Sequence, residues 1–247
     1  MKTETMKECI HIEHLNFSYE GEEMVLRDVN LVASSGESIG LIGANGIGKS
    51  TLLKLLVGLD LHYEGKLEIA THPMTKENLN HIREHIGYVF QDSDSQLFMT
   101  TVEEDVAFGP QNYGLSPEEV EERVQYALSK VHLTDLRKKH IYKMSGGEKK
   151  LASIATILAM RPDIVLMDEP SVALDPRNRR RLINILNEMP QMKLIASHDL
   201  DFILDTCERT ILMDEGTIIF DGKTSEVMRD KDLLELHGLE LPLRFQD

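Results

Sequence analysis

A glycine-rich run in the first quarter of the chain has the residue types and spacing of a phosphate-binding loop. The run is Gly43-Ala44-Asn45-Gly46-Ile47-Gly48-Lys49-Ser50, which fits G-x-x-x-x-G-K-S without a gap. Glycines let backbone N–H groups turn inward around phosphate oxygens, while Lys49 adds a cation for the β- and γ-phosphates. The Ser50 hydroxyl can bind Mg²⁺. We therefore predict that this loop binds the phosphates of a nucleotide.

Two consecutive acids follow a short apolar run later in the chain. Ile164-Val165-Leu166-Met167 is typical of a buried strand, and Asp168 and Glu169 come directly after it. Carboxylates in this position lie at the C-terminal edge of a parallel sheet, where ligands bind. We predict that Asp168 holds Mg²⁺, directly or through water, and that Glu169 is the general base for an attacking water.

A second segment has nearly the same pattern but a different context. Ile211-Leu212-Met213-Asp214-Glu215 also ends in two acids. However, Gly216 follows at once, and the strand-like run Thr217-Ile218-Ile219-Phe220 comes after it. This order is typical of a hairpin turn, so we predict a structural role for these acids.

Ser145-Gly146-Gly147-Glu148 combines a helix start with a possible anion site. Serine followed three residues later by glutamate, before an apolar run to Met160, predicts a capping box. A helix N-terminus with two glycines also presents open N–H groups and a positive dipole end to an anion. We expect both descriptions to hold.

The elements that must position these residues alternate between strand and helix. Ser38–Ile42 is a short apolar run that enters the glycine-rich loop, and Ser50–Leu59 has helical spacing of leucines. Ile164–Met167 and Lys193–Ala196 are strand-like, with a helix rich in Arg and Leu between them. This alternation predicts a parallel sheet.

Two other parts of the chain have a different character. Apolar and polar residues alternate from Ile10 to Phe17 and from Val25 to Val32, which indicates strands. The stretch from Asp92 to Met160 is largely helical and acidic, with Pro117 at a predicted helix start. We expect this stretch to be an insertion into the α/β core.

The composition bounds the class of protein. The chain has 247 residues, 41% of them hydrophobic, and a formal net charge of −15, which argues against general nucleic-acid binding. The basic run Arg179-Arg180-Arg181 is expected to be a solvated helix face. The sequence shows no apolar core of a signal peptide and no stretch of the ~18 apolar residues that a membrane span needs. Cys9 and Cys207 suggest neither a disulfide framework nor a paired metal motif.

Together these motifs resemble those of the nucleotide-binding subunit of an ABC transporter, in the family's order and over nearly the whole chain. The resemblance implies roles for five further features. Tyr19 would be the aromatic that stacks on adenine, and His198 the switch histidine at the γ-phosphate. Gln91 would be the glutamine that contacts Mg²⁺ and water and senses the membrane partner. Ser145-Gly146-Gly147 would be the signature motif, and Ser171–Asp175 the loop that crosses the dimer interface.

The implied cofactors are ATP and Mg²⁺. The implied catalytic residues are Glu169, His198 and Gln91, and Asp175 is the implied residue of the interface loop. The implied ATP-binding residues are Tyr19, Gly43, Ala44, Asn45, Gly46, Ile47, Gly48, Lys49, Ser50 and Thr51. The implied Mg²⁺ ligands are Ser50, Gln91 and Asp168.

The implied fold is the ABC ATPase fold, of the α/β class. It has a P-loop NTPase core with a mainly parallel sheet, a small N-terminal antiparallel β part and an inserted helical subdomain. We expect a single domain over residues 1–247, in which residues 1–91 and 161–247 form the core. Residues 92–160 would form the helical subdomain with the signature motif.

The resemblance also implies partners. Two ATPase subunits, identical or different, would face head to tail, with each ATP between the Gly43–Ser50 loop of one chain and the Ser145 helix of the other. Membrane subunits would bind this pair at the cytoplasmic face of the cell membrane, and no nucleic acid would be involved. Two residues depart from the family's pattern: Glu148 stands where glutamine is common, and Val172 where a small residue is usual. The capping box should turn Glu148 away from the phosphates, and Val172 should affect only dimer packing.

The segment after Gln91 resembles that of ATPases from energy-coupling-factor importers. It runs through Gln96-Leu97-Phe98 and Thr101–Pro110 to Gly114-Leu115. The importers of this group take up vitamins or cobalt and nickel ions. A chain that ends soon after Asp221-Gly222 favours the cobalt/nickel type.

Several alternatives stay open. The cargo could be a vitamin, or the chain could serve another ABC importer. A nucleic-acid-linked ABC ATPase is disfavoured because too few positions separate Lys49 from Ser145 for a long coiled coil. Lys49, Glu169 and His198 together argue against a non-catalytic regulatory subunit. His81 and His85 share a predicted helix face, but we expect them to face solvent and not to bind the cargo metal.

Overall fold

The strands of this protein form two sheets, as a computed structural model of residues 7–21 and 23–246 describes. The strands are β1 (Glu8–Ser18), β2 (Met24–Ser34), β3 (Ser38–Ile42), β4 (Glu64–Ile69), β5 (His72–Pro73), β6 (Ile86–Val89), β7 (Ile164–Asp168), β8 (Met192–Ala196), β9 (Arg209–Asp214) and β10 (Thr217–Lys223). The helices are α1 (Lys49–Leu56), α2 (Leu79–His85), α3 (Val102–Asn112), α4 (Pro117–Lys130), α5 (Gly146–Leu158), α6 (Pro176–Glu188), α7 (Leu200–Thr206), α8 (Thr224–Val227) and α9 (Lys231–Leu236).

The smaller sheet is antiparallel and has the order β2-β1-β4-β5. Ile10, Ile12, Leu15 and Phe17 of β1 are buried, whereas most of the residues between them are at least partly exposed. One face of this sheet therefore packs on the core, as alternation predicts for a strand with one wet face. The predicted N-terminal antiparallel part is confirmed.

The larger sheet has the order β10-β9-β3-β8-β7-β6. All its neighbouring pairs are parallel except β9 and β10. Every residue of β6, β7 and β8 is buried, which is expected where helices cover both faces of a parallel sheet. Since β3, β8, β7 and β6 are neighbours in this order, their carboxyl ends meet at one edge of the sheet.

Helices α3, α4 and α5 pack against one another between β6 and β7 in the sequence. Pro117 begins α4 as predicted, and a capping box joins the N-cap Ser116 to Glu119 in the first turn of the helix. Buried residues of these helices, such as Val106 and Ile154, belong to the same apolar cluster as Val165 of β7. The inserted helices therefore share one continuous core with this face of the sheet.

Helix α1 ends three residues earlier than the leucine spacing predicts. Gly58 has a φ of 65°, and its N–H bonds to the Leu55 carbonyl. The N–H of Leu59 reaches back to the Lys54 carbonyl. This pair of bonds is a Schellman motif, in which a left-handed glycine closes the helix. Within the described ranges, none of the helices is both long and apolar enough to cross a membrane.

Candidate active site

The glycine-rich loop joins β3 to α1 and needs glycine at two positions in particular. Gly43 has a φ of 144°, and a Cβ there would lie 2.3 Å from the Met213 carbonyl oxygen. Gly48 has a φ of 108° and forms the N-cap of α1, so no side chain covers the first-turn N–H groups. These donors and the helix dipole create the anion-binding end that the motif predicts.

Lys49 is buried at the start of α1, with only 7% of its surface exposed. Its Nζ donates to the carbonyls of Gly43 at 2.7 Å and Ala44 at 2.8 Å, so the ammonium group connects the end of the loop to its beginning. Burial lowers the pKa of Lys49, although the charges of Glu169 and Asp168 oppose this shift. The cation is therefore held where phosphates would meet the loop.

Asp168 ends β7 beside the loop. The Ser50 hydroxyl donates to one of its carboxylate oxygens at 3.1 Å, and the Tyr88 hydroxyl donates to the other, also at 3.1 Å. Burial, followed by the nearby charge of Asp168, raises the pKa of the Tyr88 phenol. The hydroxyl and carboxylate oxygens of Ser50 and Asp168 are the hard ligands that Mg²⁺ prefers, so the donor set fits this ion.

Glu169 lies in a left-handed backbone conformation, with a φ of 46°. Non-glycine residues in this region are strained and concentrate at functional sites. Its carboxylate accepts from the Ser197 hydroxyl at 3.1 Å and from the His198 backbone N–H at 3.1 Å. His198 Nδ1 lies 2.9 Å from the same carboxylate. The residues after β7 and β8 are therefore joined at the sheet edge.

The glycine-rich loop, Glu169 and His198 border one cavity of about 260 Å³. It is lined by Asn45, Gly46, Gly48, Lys49, Ser50, Thr51, Gln91, Glu169 and His198. Gln91 reaches it from the end of β6. Tyr19 lies beside α1, with its hydroxyl 3.1 Å from Thr51 Oγ1 and its ring edge against Phe17. The structure thus brings nearly all the predicted nucleotide and catalytic residues together.

The residues of the predicted signature motif, Ser145-Gly146-Gly147, do not line this cavity. Ser145 and Glu148 form the predicted capping box of α5, which is confirmed, and Lys139 pairs with the Glu148 carboxylate at 2.8 Å. Burial alone would raise the pKa of Glu148, but Lys139 and the Ser145 N–H hold it below its ordinary value. Ser145 and Asp175 line a separate cavity of about 640 Å³. Within one chain, the structure does not bring them to the glycine-rich loop.

Gly147 and Asp175 are both fixed by α6. A Cβ on Gly147 would lie 2.4 Å from the Asn178 amide nitrogen, so glycine permits this helix contact. Asp175 is the N-cap of α6 and accepts from the N–H groups of Arg177 and Asn178, each at 2.9 Å. Those bonds lower the pKa of the Asp175 carboxyl.

The remaining predictions have mixed outcomes. The predicted hairpin turn is confirmed: Asp214 ends β9 and pairs with Thr217 of β10, and Glu215 lies in the turn between them. The expectation of a solvated arginine face is wrong for Arg179, which forms a bidentate pair with Asp199 at 3.0 and 3.1 Å.

The two helix histidines pack more closely than expected. The His81 ring lies between those of His72 and His85, at 4.2 and 4.9 Å between centroids. His81 is exposed, but His85 is half-buried and pairs with Asp163. Across the described ranges, no group of three or more His, Cys, Asp or Glu side chains is arranged to hold a metal ion.

Sequence reasoning missed several polar contacts of this site. The sequence patterns assigned no role to Tyr88, which donates to Asp168, or to Ser197, which donates to Glu169. Lys150 of α5 donates to the carbonyls of Phe90 and Gln91, a contact that the sequence patterns did not predict. A lysine at a helix position that periodicity places on the core side is a signal that could have indicated such a buried contact.

Comparison with known proteins identifies the family. A family model described as ABC transporter matches residues 26–172. The chain belongs to the ABC transporter family. The ABC ATPase is 47% identical to a protein of Gloeobacter violaceus whose provisional name is ABC transporter ATP-binding protein, over 96% of this chain and 98% of that one.

Two further matches indicate the type of ABC transporter. The ABC ATPase is 39% identical to the energy-coupling factor transporter ATP-binding protein EcfA of Carboxydothermus hydrogenoformans, over 96% of this chain and 89% of that one. It is 32% identical to cbiO1 of Clostridium perfringens, with a TM-score of 0.84 over 93% of this chain and 94% of that one. That structure is described as part of the ABC transporter complex cbiONQ. The ABC ATPase is therefore an ATP-hydrolysing subunit of the energy-coupling-factor type.

Proposed function

We propose that this ABC ATPase powers the uptake of cobalt or nickel ions through membrane partner subunits, at the cytoplasmic face of the membrane. The likeness to cbiO1 over 93% of this chain supports the membrane partners, because that protein is part of a transporter complex. The metal cargo rests on the expectation from the sequence. The EcfA relative supports the transporter type and favours no particular cargo. A vitamin importer is therefore the second candidate.

ATP binding is assigned to the loop and the elements beside it. The backbone N–H groups from Gly43 to Thr51 hold the phosphates, and Lys49 lies close enough to the loop carbonyls to add its charge there. Tyr19 stacks on adenine. Its half-exposed ring next to α1 supports this role, since an aromatic face beside a phosphate site can pack on a base.

Ser50 and Asp168 would hold Mg²⁺, and Gln91, which lines the same cavity as Ser50, would supply a third oxygen ligand. When bound, this ion neutralises part of the charge that builds up on the phosphates. Tyr88 orients Asp168, because it occupies one carboxylate oxygen and leaves the other facing Ser50.

Glu169 is the general base, and its carboxylate takes a proton from the attacking water. Ser197 and the His198 N–H fix the orientation of this carboxylate before water arrives, which lowers the entropic cost of reaction. His198 contacts the γ-phosphate. The side chain of His198 is 57% exposed and lines the cavity, which supports this contact.

A second ATPase subunit, identical or related, completes the site with its Ser145, Gly146 and Gly147. The separation of these residues from the loop within one chain supports this arrangement. Asp175 lies in the loop that crosses the interface, where it fixes the start of α6. ATP shared between two chains closes the pair, and hydrolysis reopens it, which moves the membrane subunits.

The cargo is tested by co-purifying this ABC ATPase with its membrane subunits and reconstituting the complex in liposomes. We expect radiolabelled cobalt or nickel to accumulate against its gradient only when ATP is present on the ATPase side. A matched complex that carries Glu169→Gln should not accumulate either ion. Accumulation of a vitamin without any metal uptake would refute the metal assignment and favour the vitamin type.

A further inference from the structure

Lys150 is a buried cation that the proposed chemistry does not use. It lies one turn into α5, after the signature glycines, and only 3% of its surface is exposed. Its Nζ donates to the carbonyl of Phe90 at 3.0 Å and to that of Gln91 at 2.7 Å. Burial lowers the pKa of Lys150 to about 8, although Asp92 and Asp168 oppose this shift. An ammonium is costly to bury, so these two contacts must offset that cost.

Gln96 makes a second connection between the same two elements. Its Oε1 accepts from the Phe90 backbone N–H at 3.1 Å. Its Nε2 donates to the Ser153 carbonyl at 2.8 Å and to the Thr156 hydroxyl at 2.9 Å, both in α5. Gln96 belongs to the segment after Gln91, whose sequence resembles that of energy-coupling-factor ATPases. In the structure, its side chain bridges Phe90 and α5.

We infer that Lys150 and Gln96 form a clamp that fixes the Gln91 loop (residues 90–92) to α5, so that Gln91 and the signature motif move as one unit. The carbonyls of Phe90 and Gln91 accept from Lys150, which is part of α5. The Phe90 N–H donates to Gln96, which in turn bonds to α5. Any shift of α5 therefore changes the position of the Gln91 side chain in the nucleotide cavity. Lys150 is a positioning residue, and its effect on hydrolysis rests on the role proposed for Gln91.

Lys193 provides a matched control for this assignment. It is also buried, with 4% exposed, and its Nζ donates to the backbone carbonyls of Met189 at 2.8 Å and Gln191 at 3.1 Å. It lies near the start of β8, at the opposite end of the strand from His198. A general effect of losing a buried lysine should therefore appear in both variants, whereas an effect on the Gln91 loop should appear only at Lys150.

The test compares Lys150→Met, Lys150→Arg, Gln96→Leu and Lys193→Met. Hydrogen exchange of the full chain is followed over residues 88–97, and ATP turnover is measured in the complex with its membrane subunits. We expect Lys150→Met to speed exchange in this segment and to lower kcat on the order of tenfold, with KM for ATP changed less than about threefold. Gln96→Leu should have a smaller effect in the same direction. Lys150→Arg, which keeps the donors, should restore most of the turnover.

Two kinetic results would overturn the inference. One is wild-type turnover by Lys150→Met, and the other is an equal loss of kcat in Lys193→Met. Gln91→Ala, measured in the same assay, separates this inference from the proposed function. If Gln91→Ala hydrolysed ATP at the wild-type rate, the role proposed for Gln91 would be refuted. Unchanged exchange over residues 88–97 in Lys150→Met would refute the clamp itself.

Discussion

Replacing Glu169 by glutamine is expected to leave ATP binding intact and to reduce ATP hydrolysis by about 10²- to 10⁴-fold, the range for loss of a general base. Glutamine has nearly the same shape: its one amide oxygen can accept from the His198 N–H, and its NH2 group can donate to the Ser197 hydroxyl oxygen. It cannot take a proton from water. The measurement is phosphate release by the complex with its membrane subunits, alongside ATP binding by the same preparation.

Glu215→Gln is the matched control for this variant. Glu215 also follows an Asp at the end of an apolar strand, and it also has a left-handed backbone, with a φ of 44°. It lies in the turn between β9 and β10 and is not among the residues that line the nucleotide cavity. We expect wild-type hydrolysis from Glu215→Gln. Wild-type hydrolysis by Glu169→Gln would instead remove Glu169 from the role of base.

Lys49→Ala is expected to weaken ATP affinity or turnover by about 10- to 100-fold, which corresponds to losing a charge-assisted hydrogen bond to phosphate. The variant also loses the two bonds that cross the loop to Gly43 and Ala44. Its effect should therefore appear in both nucleotide affinity and the order of the loop. Titration with ATP and steady-state turnover together measure it.

Lys54→Ala controls for the loss of a positive charge from the same helix. Lys54 is exposed in the last turn of α1, where it only adds a favourable charge near the helix C-terminus. We expect its ATP affinity and turnover to stay within about twofold of wild type, since exposed charge contacts contribute little. A Lys49→Ala protein with unchanged affinity and rate, folded by its thermal melting, would count against the loop assignment.

The fold was largely predictable because its signals are local and repeated. Alternation in β1 and β2, and the apolar runs of β3, β7 and β8, predict their strands within a residue or two. Motifs that end these strands then fall at one sheet edge. The capping boxes of α4 and α5 are also local, because serine and glutamate three residues apart satisfy each other's backbone.

The contacts that tune the site were not predictable in the same way. Periodicity reports that a position is buried, but it does not say which polar group a buried side chain meets. Tyr88 meets Asp168, and Lys150 meets the carbonyl of Gln91, across 80 and 59 positions of sequence. The basic run that contains Arg179 predicts a solvated helix face, yet Asp199, 20 positions away, holds Arg179 in a bidentate pair.

Sequence spacing also overestimated α1, for a physical reason. The leucine pattern continues to Leu59, but backbone geometry at Gly58 stops the helix first. Apolar periodicity cannot distinguish a helical leucine from one that packs just beyond a Schellman turn. Boundaries set by a single left-handed glycine are therefore harder to predict than the helix itself.

The shared nucleotide site is tested most directly by the association of Glu169→Gln chains in sedimentation velocity. The chain is prepared alone and together with the second ATPase subunit of its complex. We predict a dimer with ATP and Mg²⁺, monomers without nucleotide, and monomers again when Lys49→Ala is added to the same chain. A Glu169→Gln chain that binds ATP stoichiometrically but sediments as a monomer in both preparations would contradict the account.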